Sequence, residues 1–391
     1  MKLVTLGLLA AILPTLGATQ DAPPVMVLPP AVEASPITPH GAAFPVLPTL
    51  IQYARTSLRC GDDTVVPLLD VEPFVATGWG GPTASSQAVS LRFRIDATGR
   101  PLGIERLGAG GSYLSGAEDL APALAALRFA LGEARDNCVV RFAPRHIPIP
   151  SAPTALLARY YGMPHRAGPH DRRIYKALVP TGADCTWPSP EPRALHYPPY
   201  SDIEQAPGTS SFIVLGYDLD ARGKPVRVRT IASAGNVALD RASVAAIERS
   251  RFAPGARTGC VTRFYRRQNV PIPAPAIPEP APFVAGPLCK DLPDWSQKPN
   301  LVFPDPYRRR AIEGWAIIGF DVAPWGATGN VRVLASEPSA DFGIAAKTIV
   351  ERARLPNSPT GRSGCAEKVR FLLPAKGAAE DDTPPPPIIM H

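Results

Sequence analysis

The chain predicts an α+β fold of three tandem small modules, each a three-stranded antiparallel sheet with a helix packed on one face, joined by Pro-rich linkers. Three observations lead there. The six cysteines fall as 60 and 138, 185 and 260, 289 and 365, with separations of 78, 75 and 76 residues. The text opening at the second cysteine of each pair is alike: CVVRFAPRHIPIP from Cys138, CVTRFYRRQNVPIP from Cys260 and CAEKVRFLLP from Cys365. Upstream, LRFRIDATGRPLGIERL (91–107) aligns with LGYDLDARGKPVRVRTI (215–231), setting Phe93 beside Tyr217, Gly99 beside Gly223 and Pro101 beside Pro225. Self-similarity at a fixed period is the mark of one folding unit written several times.

Within each unit the first element is a β-hairpin, because two alternating apolar runs flank a Gly-containing turn. The third hairpin reads IGFDVAPWGATGNVRVL (318–334), with Gly326 or Gly329 in the turn. There Ala316, Ile318, Phe320 and Val322 fall on one face, and Val331 and Val333 continue the period on the second strand. A helix follows. Phe342, Ala345, Ala346, Ile349, Val350 and Ala353 recur at helical spacing, with Ser339 or Asp341 as the cap. In the second unit Leu239, Ala242, Ala246 and Ile247 make the same stripe, ending at Arg251-Phe252 before Pro254; the first has the weaker Leu120, Leu124 and Leu127, leading to Arg128-Phe129. The last element is the strand opened by the second cysteine, which completes the sheet. A short helix ahead of the third hairpin is expected over 304–314, whereas Pro198, Pro199 and Pro207 argue against one in the second.

These elements place the modules at 49–151, 184–274 and 288–375, the first being divergent. Between them lie 152–183, read as a basic, irregular linker, and 275–287, read as an extended polyproline-like spacer. Residues 19–48 and 376–391 are proline-rich and expected to be disordered. Residues 1–18 read as a signal peptide: Lys2, then an apolar run from Leu3 to Leu16, shorter than the roughly twenty residues of a membrane span, then Gly17 and Ala18. The expected location is the periplasm, with the signal segment cleaved.

An even number of cysteines in an exported chain, without CxxC or Cys/His ligand spacing, favours disulfides over zinc. Six cysteines allow 15 pairings. The repeat selects Cys60–Cys138, Cys185–Cys260 and Cys289–Cys365, with free buried thiols as the alternative. The net charge of +7 is carried by dispersed Lys and Arg, which reads as a solvated surface and not as a nucleic-acid footprint.

The succession FP, YRRRAIEGWAIIGFDV, VRVLASEPS, ARLP and VRFLLP in the third unit resembles the C-terminal domain of TonB-family proteins, and the second unit shares YP at 197–198, SAGNVALDRASVAAIERSRFAPG (233–255) and the last strand. The first keeps only the hairpin and Arg128-Phe129. This resemblance implies a module that offers a sheet edge to an extended peptide, where backbone hydrogen bonds give affinity and alternate side chains give selectivity. The implied partners are envelope proteins, outer-membrane transporters among them, with no small-molecule substrate. An uncleaved N-terminus would instead make the chain an anchored energy transducer.

Catalytic signals are sparse. His165, His170 and Asp171 sit in the polar stretch between modules and read as an exposed loop, with no third metal ligand nearby. No G-x-S-x-G elbow, H-E-x-x-H or phosphate-cradling glycine motif occurs. The expectation is therefore a protein without catalytic residues, metal or cofactor; an envelope hydrolase is the competing class. Arg308, Arg309 and Arg310 read as a solvated helix face, and Trp315 and Trp325 as core or hairpin contacts.

Overall fold

The computed structural model describes residues 47–80, 87–108, 116–163, 171–185, 190–266, 270–298 and 300–374. The first sheet contains β1 (Leu47–Cys60), β2 (Asp63–Thr64), β3 (Ala76–Gly80), β4 (Val89–Ile95), β5 (Pro101–Leu107) and β6 (Arg135–Pro148), in the order β2-β1-β6-β4-β5 with β3 also on β1. The hairpin β4-β5 and the closing strand β6 are the expected three. Residues Leu91, Phe93 and Ile95 alternate inward and meet Leu120 and Leu124 of the short helix α1 (Leu120–Ala126). The expectation of a three-stranded sheet is corrected here: β1 lies antiparallel along β6 from Thr49 opposite Pro148 to Cys60 opposite Cys138.

The segment 152–183 is not an irregular linker. It carries α2 (Thr154–Gly162) and α3 (Asp171–Leu178), whose Leu156, Leu157, Ile174 and Leu178 recur at helical spacing and are buried. The second sheet explains why. After β7 (Pro192–Ala194), it is built from β8 (Phe212–Leu219) and β9 (Pro225–Ser233); α4 (Val237–Arg249) and the short β10 (Arg251–Phe252) lead to β11 (Arg257–Tyr265). The order is β11-β8-β9, and every residue of β8 is buried. Ile213, Leu215 and Tyr217 face Leu239 and Ile247 of α4, while Phe212 and Val214 face α2 and α3 on the other side. A central strand buried on both faces needs two covering layers, and α2 and α3 supply the second.

The third sheet is β12 (Gly314–Val322), β13 (Thr328–Glu337) and β14 (Arg362–Phe371), in the order β13-β12-β14, preceded by α5 (Asp305–Arg309). The helix α6 (Ala340–Glu351) covers Ala316, Ile318 and Phe320 with Phe342, Ala346 and Val350. Its cap is Ser339, whose hydroxyl accepts from the Asp341 N–H at 3.3 Å. The opposite face carries Trp315, Ile317 and Ala366, and here the expected free spacer is corrected: Ala274, Ile277, Phe283 and Val284 pack on that face, and the Trp315 indole donates to the Pro275 carbonyl at 3.0 Å.

The turns correspond closely. Gly99, Gly223 and Gly326 have φ of 74°, 76° and 82°, and a Cβ on each would lie 2.3, 2.2 and 2.0 Å from the carbonyl oxygens of Phe129, Phe252 and Leu355. In each case the carbonyl of the glycine accepts from the N–H of that same residue at 2.9 Å. Only glycine tolerates both the left-handed backbone and the close approach. Gly326, not Gly329, is thus the turn residue of the third hairpin.

The picture of beads on linkers is also corrected. The first and third sheets share one apolar core, in which Ile104, Leu124 and Phe142 join Tyr307, Ile318 and Phe342. The Ile104 N–H donates to the Pro338 carbonyl at 2.9 Å, and Glu337 accepts from Gly103 N–H at 2.7 Å and from Arg94 at 2.6 Å. Arg310, expected on a solvated face, is the deepest of these contacts. Its Nε donates to Asp119 Oδ1 at 2.8 Å, and its Nη2 donates to Asp119 Oδ2 at 2.5 Å and to the Glu72 carbonyl at 2.9 Å. The guanidinium also lies 4.0 Å over the Phe74 ring. Arg308 and Arg309 are exposed as expected.

Residues 1–18, 19–46 and 376–391, read above as signal peptide and disordered ends, lie outside the described residues. The last two residues of the stretch 19–48 belong to β1. Among the described residues no helix is long and apolar enough to cross a membrane.

Candidate strand-addition edge

Each of the three closing strands, β6, β11 and β14, carries near its start a cysteine held by a disulfide: Cys60–Cys138, Cys185–Cys260 and Cys289–Cys365, with Cα separations of 3.8, 4.9 and 5.0 Å. In each case the first cysteine lies against the start of the closing strand. Beyond that point the three edges differ. The outer edge of β6 is filled by β1. Beside β11, Arg263 donates to the Tyr161 carbonyl and lies 4.8 Å over the Tyr161 ring, so α2 closes in on that strand.

β14 is different. It pairs with β12 on one side, from Gly314 opposite Phe371 to Val322 opposite Arg362, and among the described residues no strand pairs with its other side. The ends of that free side are tied. Ala285 and Gly286 donate to the Gly364 carbonyl at 3.0 and 3.2 Å, and the Leu373 N–H donates to Glu313 Oε1 at 2.9 Å. Between them runs an edge flanked by Glu279, which meets Lys368 at 3.4 Å, and by Trp295, whose ring lies 5.6 Å from that of Phe320.

Glu367 occupies a position of special interest on this edge. It shares parity with Cys365, Val369 and Phe371, the residues that point into the core, so it is a carboxylate on the inward side of an edge strand. Burial raises its pKa above the usual glutamate value, partly offset by the Lys368 N–H and by a hydrogen bond from the Trp295 side chain. The Lys368 N–H donates to Glu367 Oε1 at 3.1 Å. An edge-strand donor that would otherwise seek a neighbouring carbonyl is thereby satisfied by a side chain that can rotate away. Inward charges on edge strands keep such edges from pairing indiscriminately. Sequence reasoning missed Glu367, although a charge at an inward position of the VRF strand was a visible signal.

Residues 299–374 match the family model for the C-terminal domain of the Gram-negative bacterial TonB protein. That stretch contains α5, α6 and the whole third sheet, with the edge of β14 at its end. A domain of this kind is non-catalytic and implies interaction with outer-membrane transporters in general. No curated protein matches the chain.

The other singled-out residues play different parts. Trp315 is buried beneath Ala274, Ile277, Phe283 and Val284, and Trp325 is 65% exposed at the hairpin tip. His165 and His170 lie outside the described residues. Asp171 is buried and accepts from the Tyr160 hydroxyl at 3.0 Å. A polar groove of about 1580 Å³ lies between the first and second sheets, lined by Glu72, Phe74, Arg159, Asp202 and Arg266 among others, and no histidine or cysteine is among its lining residues. Its three arginines are engaged: Arg159 with Glu72, Arg266 with the Ile203 carbonyl and Arg310 with Asp119.

Proposed function

We propose that this chain is a non-catalytic periplasmic scaffold of the TonB-like class, assembled from three divergent copies of one unit, that binds extended segments of envelope proteins through the edge of β14. The observation that carries this reading is the unpaired side of β14 inside the stretch that matches the TonB C-terminal family. Backbone donors and acceptors on such an edge give affinity to any extended segment, and the side chains flanking it select among them. Here those are Glu367, Lys368 and Trp295, which favour a partner that brings both a charge and an apolar residue. The three turn glycines, the recurring strand order and the recurring disulfides support descent of the units from one ancestor. Disulfides fit an oxidising compartment such as the periplasm. Outer-membrane transporters are the partner class that the family match supports.

A photo-crosslinking residue at the exposed Arg370 position on β14 tests this in envelope extract. The expected result is a discrete crosslinked envelope protein that a reporter at Trp325, exposed but away from the edge, does not give. Equal, diffuse labelling from both positions would overturn the reading.

A further inference from the structure

The chain leading into each first cysteine takes a different path, although the three cysteines occupy equivalent places. Into Cys60 it runs as β1, zipped along β6. Into Cys185 it descends from α3, touching the closing strand where Cys185 N–H donates to the Thr258 carbonyl at 3.1 Å. Into Cys289 it is the strap 273–288, whose backbone bonds the edge of β14 at Gly364 alone, whose Glu279 side chain meets Lys368, and which otherwise crosses the outer face of the sheet over Trp315 and Ile317. The same stretch of chain that fills an edge in the first unit lies on a face in the third.

Composition accounts for the difference. Residues 47–60 contain one proline, Pro48, next to the start of the strand. The stretch leading to Cys289 contains Pro271, Pro273, Pro275, Pro278, Pro280, Pro282 and Pro287. Proline has no N–H to give a ladder and holds φ near about −65°, whereas an antiparallel strand wants about −140°. Prolines at 278, 280 and 282 impose that mismatch at every second residue. The polyproline-like conformation they favour instead suits the face, where the Pro275 carbonyl meets the Trp315 indole and Phe283 and Val284 bury apolar surface. A strand-competent sequence at this place would have a covalent tether at Cys289 and an effective concentration that no separate partner could match.

We propose that the prolines of residues 275–282 act to keep the chain's own segment off β14, reserving for a proline-poor extended segment of another protein the edge that β1 fills on β6. This inference rests on the edge of β14 being the binding surface. The prolines are then selectivity-determining residues that never touch the partner.

Hydrogen exchange in the oxidised full chain, with no partner present, tests it. Two variants are compared with the unaltered protein: Pro278→Thr with Pro282→Thr, both at exposed positions, and the same pair with Pro280→Thr. The expected result is that alternate amides between Ala366 and Phe371 exchange at least about tenfold more slowly as the strap pairs with the edge, while the amides of the central strand β12 keep their rates. Crosslinking from Arg370 to any partner falls in parallel. Exchange of the β14 amides unchanged within about twofold in both variants, with β12 still protected, would overturn the proposal. Because the exchange is measured without a partner, failure to find one refutes the functional reading alone, and unchanged exchange refutes this inference alone.

Discussion

Replacing Arg310 by methionine removes one half of an ion pair whose side chains are 1% and 3% exposed. What remains is the Asp119 carboxylate, buried at the start of α1 with the Phe74 N–H donating to it at 2.7 Å and no cation beside it. Leaving one member of a buried pair uncompensated costs about 3–5 kcal/mol, whereas removing both charges together is often close to neutral. With a urea slope of about 3 kcal/mol/M, the midpoint of unfolding should fall by about 1–1.7 M. The double variant Arg310→Met/Asp119→Asn keeps an oxygen acceptor for the Phe74 N–H and should recover at least about 2 kcal/mol of that loss. Chemical denaturation followed by tryptophan fluorescence, with hydrogen exchange to locate the change, measures both. Exchange should accelerate where the first and third sheets share their core and least in β8, which packs against neither Asp119 nor Arg310. A single variant that costs under about 1 kcal/mol, the value of a solvent-exposed pair, or a double variant no better than the single, would refute the reasoning.

Other outcomes follow from the same geometry. Replacing Cys289 and Cys365 together by serine opens a loop of 76 residues and should cost up to about 4–5 kcal/mol in the chain-entropy account, read as a lower denaturation midpoint under non-reducing conditions; an unchanged midpoint would count against a structural role. Gly326→Ala places a methyl 2.0 Å from the Leu355 carbonyl oxygen at φ 82° and should destabilise by at least about 1–3 kcal/mol, with Gly99→Ala and Gly223→Ala behaving alike. Burial raises the Glu367 pKa, so its contribution to stability is greatest below the usual glutamate value and is lost as pH rises through the raised one. Glu367→Gln should therefore gain stability relative to the parent as pH rises across that window, and Glu367→Ala, which frees the Lys368 N–H, should increase crosslinking from Arg370.

The hairpins, the helices α4 and α6 and the closing strands were legible because each carries its own period: alternate residues on the strands, and Phe342, Ala346 and Val350 at helical spacing. The pairing of cysteines was legible because the two members of each pair stand 78, 75 and 76 residues apart. What escaped was non-local. β1 contains a strand-like apolar run, yet its partner β6 begins 75 residues beyond its end, and nothing in either sequence announces the match. The helices α2 and α3 are short, carry Arg159 and Arg172, Arg173 and Lys176, and are flanked by proline and glycine, which obscured a stripe formed by Leu156, Leu157 and Tyr160 and by Ile174, Tyr175 and Leu178. Three successive arginines could not be told apart by composition. The turn that ends α5 carries Arg310 inward while Arg308 and Arg309 remain in solvent, and only the position of Asp119 in space decides that. A sheet edge on offer was implied by family resemblance, but which edge stays unpaired depends on the neighbouring segments that lie beside each.

The pairing of Asp119 with Arg310 across 191 residues sets a temporal order for assembly. At synthesis rates of about 5–20 residues per second, the carboxylate is made about 10–40 seconds before its cation. During that interval the helix α1 and the inner face of β4 have no third-sheet partner to complete their burial. The middle unit can assemble on Leu50, Val75 and Ile149 in the meantime, so the nascent chain acquires its second core before its first is finished. A truncation that stops before residue 300 should consequently be held by its middle and leave its beginning exposed, prone to self-association through the surface that the last unit would have covered.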